Sequence, residues 1–312
     1  MRVAIVDLGT NTCRLFLVEI DEAGAVDVTA RLVTVVRLGQ GVDRTGRLDE
    51  VAVRRTRDCL AAYAPRLEAY RPERRLLVAT SVLRDAGDGG AFLRDVLRDF
   101  ALPSRVLSGE EEGALSFRGG TAGLDPAGGP AVLVDIGGGS TEFAVGAPGG
   151  PPGVVRSLDV GVVRLTERFV RHDPPAPPEL AALAGFVRAA IREGVPADAR
   201  ATVRRGVGVA GTYTTLVAHK LALREYRSEL VQGHVLSLTD IDAAIALFAG
   251  MTNEERGRLP GIQAGREDVI LAGALIAREA CLAFGLDAVR VSEADLLEGT
   301  ALALAEGSLT PS

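Results

Sequence analysis

Of the 35 basic residues in this 312-residue chain, only Lys220 is a lysine; the rest are arginine. Lys220 sits in Ala218-His219-Lys220-Leu221 with no glycine-rich loop before it. A phosphate loop of the Walker type needs Gly-x4-Gly-Lys-Ser/Thr, so a P-loop nucleotidase is excluded. Tryptophan is absent, and only three cysteines and three histidines are present. Cys13, Cys59 and Cys281 are too far apart for a zinc spacing, and their odd number builds no disulfide framework. His172, His219 and His234 are equally scattered, which argues against a histidine-rich metal site. Neither a signal peptide at the N-terminus nor an uncharged apolar run of ~18 residues is present, so no membrane span and a cytoplasmic location are expected. A net charge of −6 argues against a dedicated nucleic-acid binder.

Glycine is abundant instead, 37 residues or about 12%, against ~7% in average proteins. No collagen period is present, so these glycines mark turns and close backbone approaches. The length suggests two domains, and the pattern of elements supports this. Val3–Leu8, Arg14–Ile20 and Val26–Val36 read as strands. A helix follows from Asp49 to about Tyr70, which Pro65 should kink or shorten. A strand at Leu76–Thr80, a helix at Gly89–Phe100, a strand at Arg105–Leu107 and a helix from Glu110 complete a first unit. Residues 119–130, rich in Gly and Pro, read as a linker. The pattern then restarts with strands at Ala131–Ile136, Thr141–Gly146 and Val154–Leu158. Even the openings match: Val-Asp7-Leu-Gly9-Thr10 and Val-Asp135-Ile-Gly137-Gly138. An internal duplication of an α/β unit is expected, with domains at 1–123 and 124–295.

Each opening places Asp and Gly in the turn of a β-hairpin. Glycine lets backbone N–H groups approach an oxyanion, and Thr10, Ser140 and Thr141 add hydroxyl donors. Asp135 is suited to a divalent cation. Glu142 should return beside it, giving the one or two carboxylates that Mg²⁺ favours; alternatively, Glu142 is a solvent-facing strand residue. Ser108-Gly109-Glu110-Glu111-Glu112-Gly113 begins a helix, where acidic residues are favoured by the helix dipole. Three glutamates exceed what capping needs, and one is a candidate general base. Arg84 is either a bidentate phosphate clamp or one more exposed arginine. Gly206–Thr212 forms a glycine-rich turn into a helix, with Gly211 and Thr212 at an anion-favouring N-terminus or simply at a close helix–strand contact.

These segments resemble the exopolyphosphatase/guanosine pentaphosphate phosphohydrolase family of the sugar kinase–Hsp70–actin superfamily. The matching motifs include VDLGTNTCRL (6–15), ATSVLRDA (79–86), LSGEEEGALSF (107–117), LVDIGGGSTEF (133–143), GVAGTYTTL (208–216), REDVILAGALI (266–276) and VSEADLLEGT (291–300). The resemblance implies two ribonuclease H-like domains with the active site between them, and a last helix, about 296–308, folded back on the first. It implies Glu112 as the catalytic glutamate and Asp135 and Glu142 as Mg²⁺-associated carboxylates, with Mn²⁺ as a substitute. It assigns Gly137, Gly138, Gly139 and Ser140 to a phosphate loop, Thr10 and Asn11 to the first-domain loop, and Arg84 and Arg266 to phosphate contacts. Thr10 and Thr12 replace the family's usual serines, Gly113 an alanine, and Val209-Ala210-Gly211-Thr212 the commoner Gly-Gly-Thr. The chain is similar to the short members, which lack a C-terminal helical extension.

The implied activity is release of orthophosphate from inorganic polyphosphate. The alternatives are hydrolysis of guanosine pentaphosphate or short nucleoside polyphosphates, a sugar kinase or actin-like ATPase, and a non-catalytic nucleotide or polyphosphate sensor. A homodimer is expected from the resemblance.

Overall fold

The computed structural model describes residues 1–311. The chain divides into two compact units, Met1–Leu115 with Leu296–Ser312, and Ser116–Asp295. The division falls within the helix Gly109–Gly120, upstream of the glycine/proline segment expected to separate the domains.

In the first unit, β1 (Arg2–Leu8), β2 (Thr12–Ile20), β3 (Val26–Val35), β4 (Arg74–Ala79) and β5 (Ser104–Val106) form a sheet of order β3-β2-β1-β4-β5. The first three strands are antiparallel, and β4 and β5 run parallel to β1. This is the ribonuclease H-like arrangement. Alternation along β1 sends Ala4, Val6 and Leu8 to one core and Val3 and Ile5 to another, as the period of two requires. The helix Glu50–Tyr70 covers the first face through Ala52, Cys59, Leu60, Tyr63 and Leu67. The helix Leu296–Glu306 covers the second with Leu296, Leu297, Ala301 and Leu304.

Pro65 does not shorten its helix, which runs on for 21 residues. Proline removes the N–H that would bond to the Ala61 carbonyl. Both residues lie on the exposed face, so water can satisfy that carbonyl.

In the second unit, β6 (Ala131–Ile136), β7 (Thr141–Gly146), β8 (Val154–Leu158), β9 (Arg205–Val209), β10 (Val235–Ser237) and β11 (Ala288–Val291) form a sheet of order β10-β11-β9-β6-β7-β8. Again three antiparallel strands open the unit, and a parallel strand, β9, joins β6. One face packs on the helices Pro177–Gly194, Ala210–Lys220 and Ile270–Phe284 through a large apolar cluster. On the other face Phe117 meets Leu133, Ala144, Val207 and Val209. The last helix of the α-rich face stops at Gly285, whose φ of 63° is the left-handed C-terminal cap expected there.

The segment 119–130 is only partly a linker. Gly119 and Gly120 are buried and helical, and a Cβ on Gly120 would stand 2.4 Å from Leu133 Cδ1. Gly120 shortens the distance between helix and sheet. In the first unit Gly299 does the same: its Cβ would fall 1.9 Å from the Leu115 carbonyl oxygen. Helix propensity favours alanine over glycine by ~1 kcal/mol, whereas overpacking costs ~1–3 kcal/mol. The clash is with backbone and dominates, so Gly299→Ala should lower the urea-unfolding free energy by about 1–3 kcal/mol. A variant that gains stability, as propensity alone would give, contradicts this packing.

Candidate active site

The two hairpin turns have the same local construction. Gly9 N–H donates to Thr12 O at 2.9 Å, and Gly137 N–H to Ser140 O at 3.0 Å. Around the second turn, the carbonyls of Gly137 and Gly138 accept the Val162 and Val163 N–H groups at 3.0 and 2.9 Å. The Gly139 carbonyl accepts Arg164 Nε at 2.9 Å. Gly161 permits this approach, since a Cβ there would lie 2.3 Å from the Gly138 carbonyl oxygen. The carbonyls are thereby held away, while the N–H groups of Gly138 and Gly139 have no backbone acceptor among the described residues. Such a turn is built to receive an anion.

The turns differ in what the strands carry beside them. Asp7 is registered opposite Arg14, which donates from Nε to Asp7 Oδ2 at 2.7 Å. Asp135 is registered opposite Glu142. Cross-strand partners share a face with their Cβ atoms ~4.5–5.5 Å apart. The first unit therefore neutralises its aspartate internally, and the second sets two carboxylates side by side. Glu142 is fully buried, so it is not a solvent-facing strand residue, and Asp135 is 6% exposed. Each receives a hydroxyl: Ser116 Oγ donates to Asp135 Oδ2 at 2.6 Å, and Ser157 Oγ to Glu142 Oε1 at 2.7 Å. Two adjacent buried carboxylates suit a hard divalent cation that takes its remaining ligands from water and phosphate, and the donor set fits Mg²⁺.

Glu112 is buried in the first turn of its helix. Arg84, on the short helix Ser81–Asp85, donates from Nη1 to Glu112 Oε2 at 2.9 Å and to Leu107 O at 2.7 Å. Thr10 Oγ1 lies 3.0 Å from Ser81 Oγ. The helix Ser81–Asp85 thus carries both the partner of Thr10 and the partner of Glu112. Asn11 is buried in the same turn, its carbonyl accepting the Val36 and Arg37 N–H groups at 2.9 Å each.

The three glutamates have separate roles. Ser108 and Glu111 form a reciprocal cap: Glu111 N–H donates to Ser108 Oγ at 3.1 Å, and Ser108 N–H to Glu111 Oε2 at 2.8 Å. Glu110 is exposed. Only Glu112 turns inward.

In the second unit Asp135 is registered with Val209. The start of the helix Ala210–Lys220 therefore lies at the same strand ends as the glycine turn, where open α/β sheets bind ligands. Gly211 is needed there because a Cβ would stand 1.6 Å from Arg266 Nη1. Thr212 is buried against Gly273. Among the residues expected at the site, Thr10, Asn11, Arg84 and Glu112 gather in the first unit. Asp135, Gly137–Gly139, Ser140, Glu142, Gly211, Thr212 and Arg266 belong to the second. Sequence reasoning missed Arg14, Ser81, Ser116 and Ser157. Ser116 had one signal, its place one helical turn after Glu112.

A phosphatase-family model, the Ppx/GppA phosphatase family, matches residues 17–306. Exopolyphosphatase 2 of Mycobacterium tuberculosis is 39% identical to this chain, the alignment covering 97% of this chain and 98% of that protein. A crystal structure of an exopolyphosphatase-like protein superposes with a TM-score of 0.91 at 31% identity, covering 99% of this chain and 100% of the other. That of the Aquifex aeolicus member of the Ppx/GppA family superposes with a TM-score of 0.82 at 31% identity, covering 99% of each. The chain is a phosphoanhydride hydrolase by class. It belongs to the Ppx/GppA phosphatase family. Among the described residues no helix is long and apolar enough to cross a membrane.

Glu111 gives a pH test of its capping role. Burial opposes its charge, but the Ser108 N–H and the Arg105 guanidinium outweigh burial and hold its carboxyl below the usual range. A depressed folded-state pKa adds stability that is full above the unfolded pKa of ~4.3 and fades as pH falls through the folded one. Glu111→Ala should therefore cost about 0.5–2 kcal/mol near neutral pH, the range for a lost cap. That deficit should narrow on acidification below about pH 4. A deficit that stays constant from pH 7 to pH 3 contradicts the assignment.

Proposed function

We propose that this chain is a Mg²⁺-dependent exopolyphosphatase that removes the terminal phosphate of inorganic polyphosphate. The observation that carries the reading is the buried Asp135–Glu142 pair beside a glycine turn with N–H groups to offer. The relative named Exopolyphosphatase 2 supports the choice of substrate.

Asp135 and Glu142 would hold Mg²⁺. When bound, the ion supplies positive charge that offsets the charge on the phosphate oxygens. The N–H groups of Gly138 and Gly139, with Ser140, hold the terminal phosphate. In the structure Arg84 lies on Glu112. A phosphate chain entering beside Arg84 competes for its guanidinium and leaves Glu112 free to accept a proton. A water oxygen bonds to the terminal phosphorus and gives that proton to Glu112. The bridging P–O bond breaks, and the electron pair leaves with the shortened chain. The products are orthophosphate and a chain one phosphate shorter. The family also includes guanosine pentaphosphate phosphohydrolases, and these same groups are equally suited to a nucleotide's 5′ phosphate; only the grip beyond it differs.

General-base catalysis is worth ~10²–10⁴-fold, so Glu112→Gln should lower kcat by about that factor while circular dichroism shows the fold retained. Phosphate release is to be measured on polyphosphates of several lengths and on guanosine pentaphosphate side by side. Unchanged turnover in the variant removes Glu112 from the reaction. Release from guanosine pentaphosphate alone moves the substrate assignment to the nucleotide. Ser116→Ala should weaken Mg²⁺ binding about 10–100-fold in a titration without substrate, the usual effect of removing a hydrogen bond to a metal-binding group. Wild-type affinity in that variant contradicts a role for Ser116 in presenting Asp135.

A further inference from the structure

Several of the arginines in this acidic protein are paired with carboxylates. Arg31 meets Glu298, Arg57 meets Asp99, Arg188 and Arg278 share Glu279, and Arg84 meets Glu112. Three others are set apart by sharing one cavity. Arg204, Arg205 and Arg290 line a single cavity of about 450 Å³ in the second unit, together with Leu124, Leu286 and Asp287. Among the described residues none of the three is paired with a carboxylate. Arg204 donates only to the Ala201 and Val203 carbonyls, and Arg205 to those of Asp125 and Gly129. Arg205 Nε is buried with no acceptor. Arg204 and Arg290 are exposed.

The sheet explains how they come together. Arg290 is registered with Val207 on one side and Val235 on the other. Arg205 lies two residues before Val207, so all four share a face. Over Val207 that face is covered by Phe117 and its neighbours. Towards β10 it is open, and Val235 is 55% exposed. Glycines make room for the guanidinium groups. A Cβ on Gly128 would stand 2.4 Å from Arg205 Nη1, and one on Gly233 2.8 Å from Arg290 Nη2. The cavity lies at the opposite end of the strands from Asp135. Ala131 is registered with Arg205, and the four residues from there to Asp135 span roughly 13 Å at ~3.3 Å per residue.

We propose that this cavity is a second binding site, distinct from the hydrolytic one, for an anion carrying a short run of phosphates. Three guanidinium groups supply planar, multidentate donors that match phosphate oxygens. The volume falls in the range of ~300–1,000 Å³ typical of small-ligand sites. The phosphates come either from an inorganic chain or from a nucleoside triphosphate, for which Leu124, Val235 and Leu286 offer apolar surface and Asp287 a hydrogen-bond acceptor. The site does not depend on the activity proposed above, and its test uses no turnover.

The full chain in EDTA is treated with phenylglyoxal, and modification of Arg204, Arg205 and Arg290 is followed by peptide mass spectrometry. Tripolyphosphate and GTP are added in separate arms. The expected result is at least ~5-fold slower modification of Arg204 and Arg290. Protection by both anions identifies the phosphate run as the recognised group, and protection by GTP alone adds the nucleoside. The Arg204→Ser/Arg290→Ser double variant should then bind the protecting anion at this site at least ~10-fold more weakly by calorimetry. Both residues are exposed, and the protection experiment on the unaltered chain stands without the variant. No protection by either anion at millimolar concentration, or an unchanged binding isotherm in the double variant, overturns the proposal.

Discussion

Two carboxylates buried side by side on one hairpin are the constraint around which the second unit is arranged. Bringing like charges together out of water is costly unless hydrogen bonds and a counter-charge compensate. Ser116 and Ser157 supply the hydroxyls. The glycine turn has its carbonyls drawn back onto the helix Val162–Phe169, which keeps negative dipole ends away from the pair. The proposed Mg²⁺ would add a counter-charge to these hydrogen bonds. The first unit shows the alternative within the same fold. There an arginine opposite Asp7 supplies a counter-charge from within the hairpin. One position in the register, Arg14 against Glu142, separates a structural hairpin from a candidate metal-binding one.

Much of the architecture was legible because both units rest on local signals. Strands β6, β7 and β8 have the bounds that alternation and turn residues indicate, and the repeated Asp-x-Gly revealed the duplication. The errors arose where tertiary packing overrode local preference. Gly119 and Gly120 read as a linker because glycine is a poor helix former, yet both are helical, and the missing side chain of Gly120 lets the helix lie against Leu133. Pro65 does not shorten its helix for a different reason: the carbonyl that loses its hydrogen bond faces water. Glu112 could be separated from Glu110 and Glu111 only through family motifs. In the structure the distinction is physical: Glu111 closes a cap, Glu110 faces solvent, and Glu112 turns inward to Arg84. The partners Arg14, Ser81 and Ser157 were not legible, since each acts through a contact that sequence spacing does not display, and Ser116 had only its helical spacing from Glu112 to mark it.

The glycine excess and the arginine bias are connected in this molecule. Gly211, Gly128 and Gly233 each leave space that a guanidinium fills, at Arg266, Arg205 and Arg290. Where a methyl group would meet a planar cation, the chain has glycine. With one lysine in the sequence, anion binding falls to arginines seated in this way, to hydroxyls and to backbone N–H groups.

The proposed cation site is created by the Asp135–Glu142 pair, and not by the hairpin fold itself. Thermal unfolding of the unaltered chain and of Glu142→Gln, each with and without Mg²⁺ and without substrate, tests it most directly. The account predicts that Mg²⁺ raises the Tm of the unaltered chain but not of the variant. It also predicts that without Mg²⁺ the variant is at least as stable, because one of two neighbouring buried charges is gone. An equal Mg²⁺-induced rise in both proteins would contradict it.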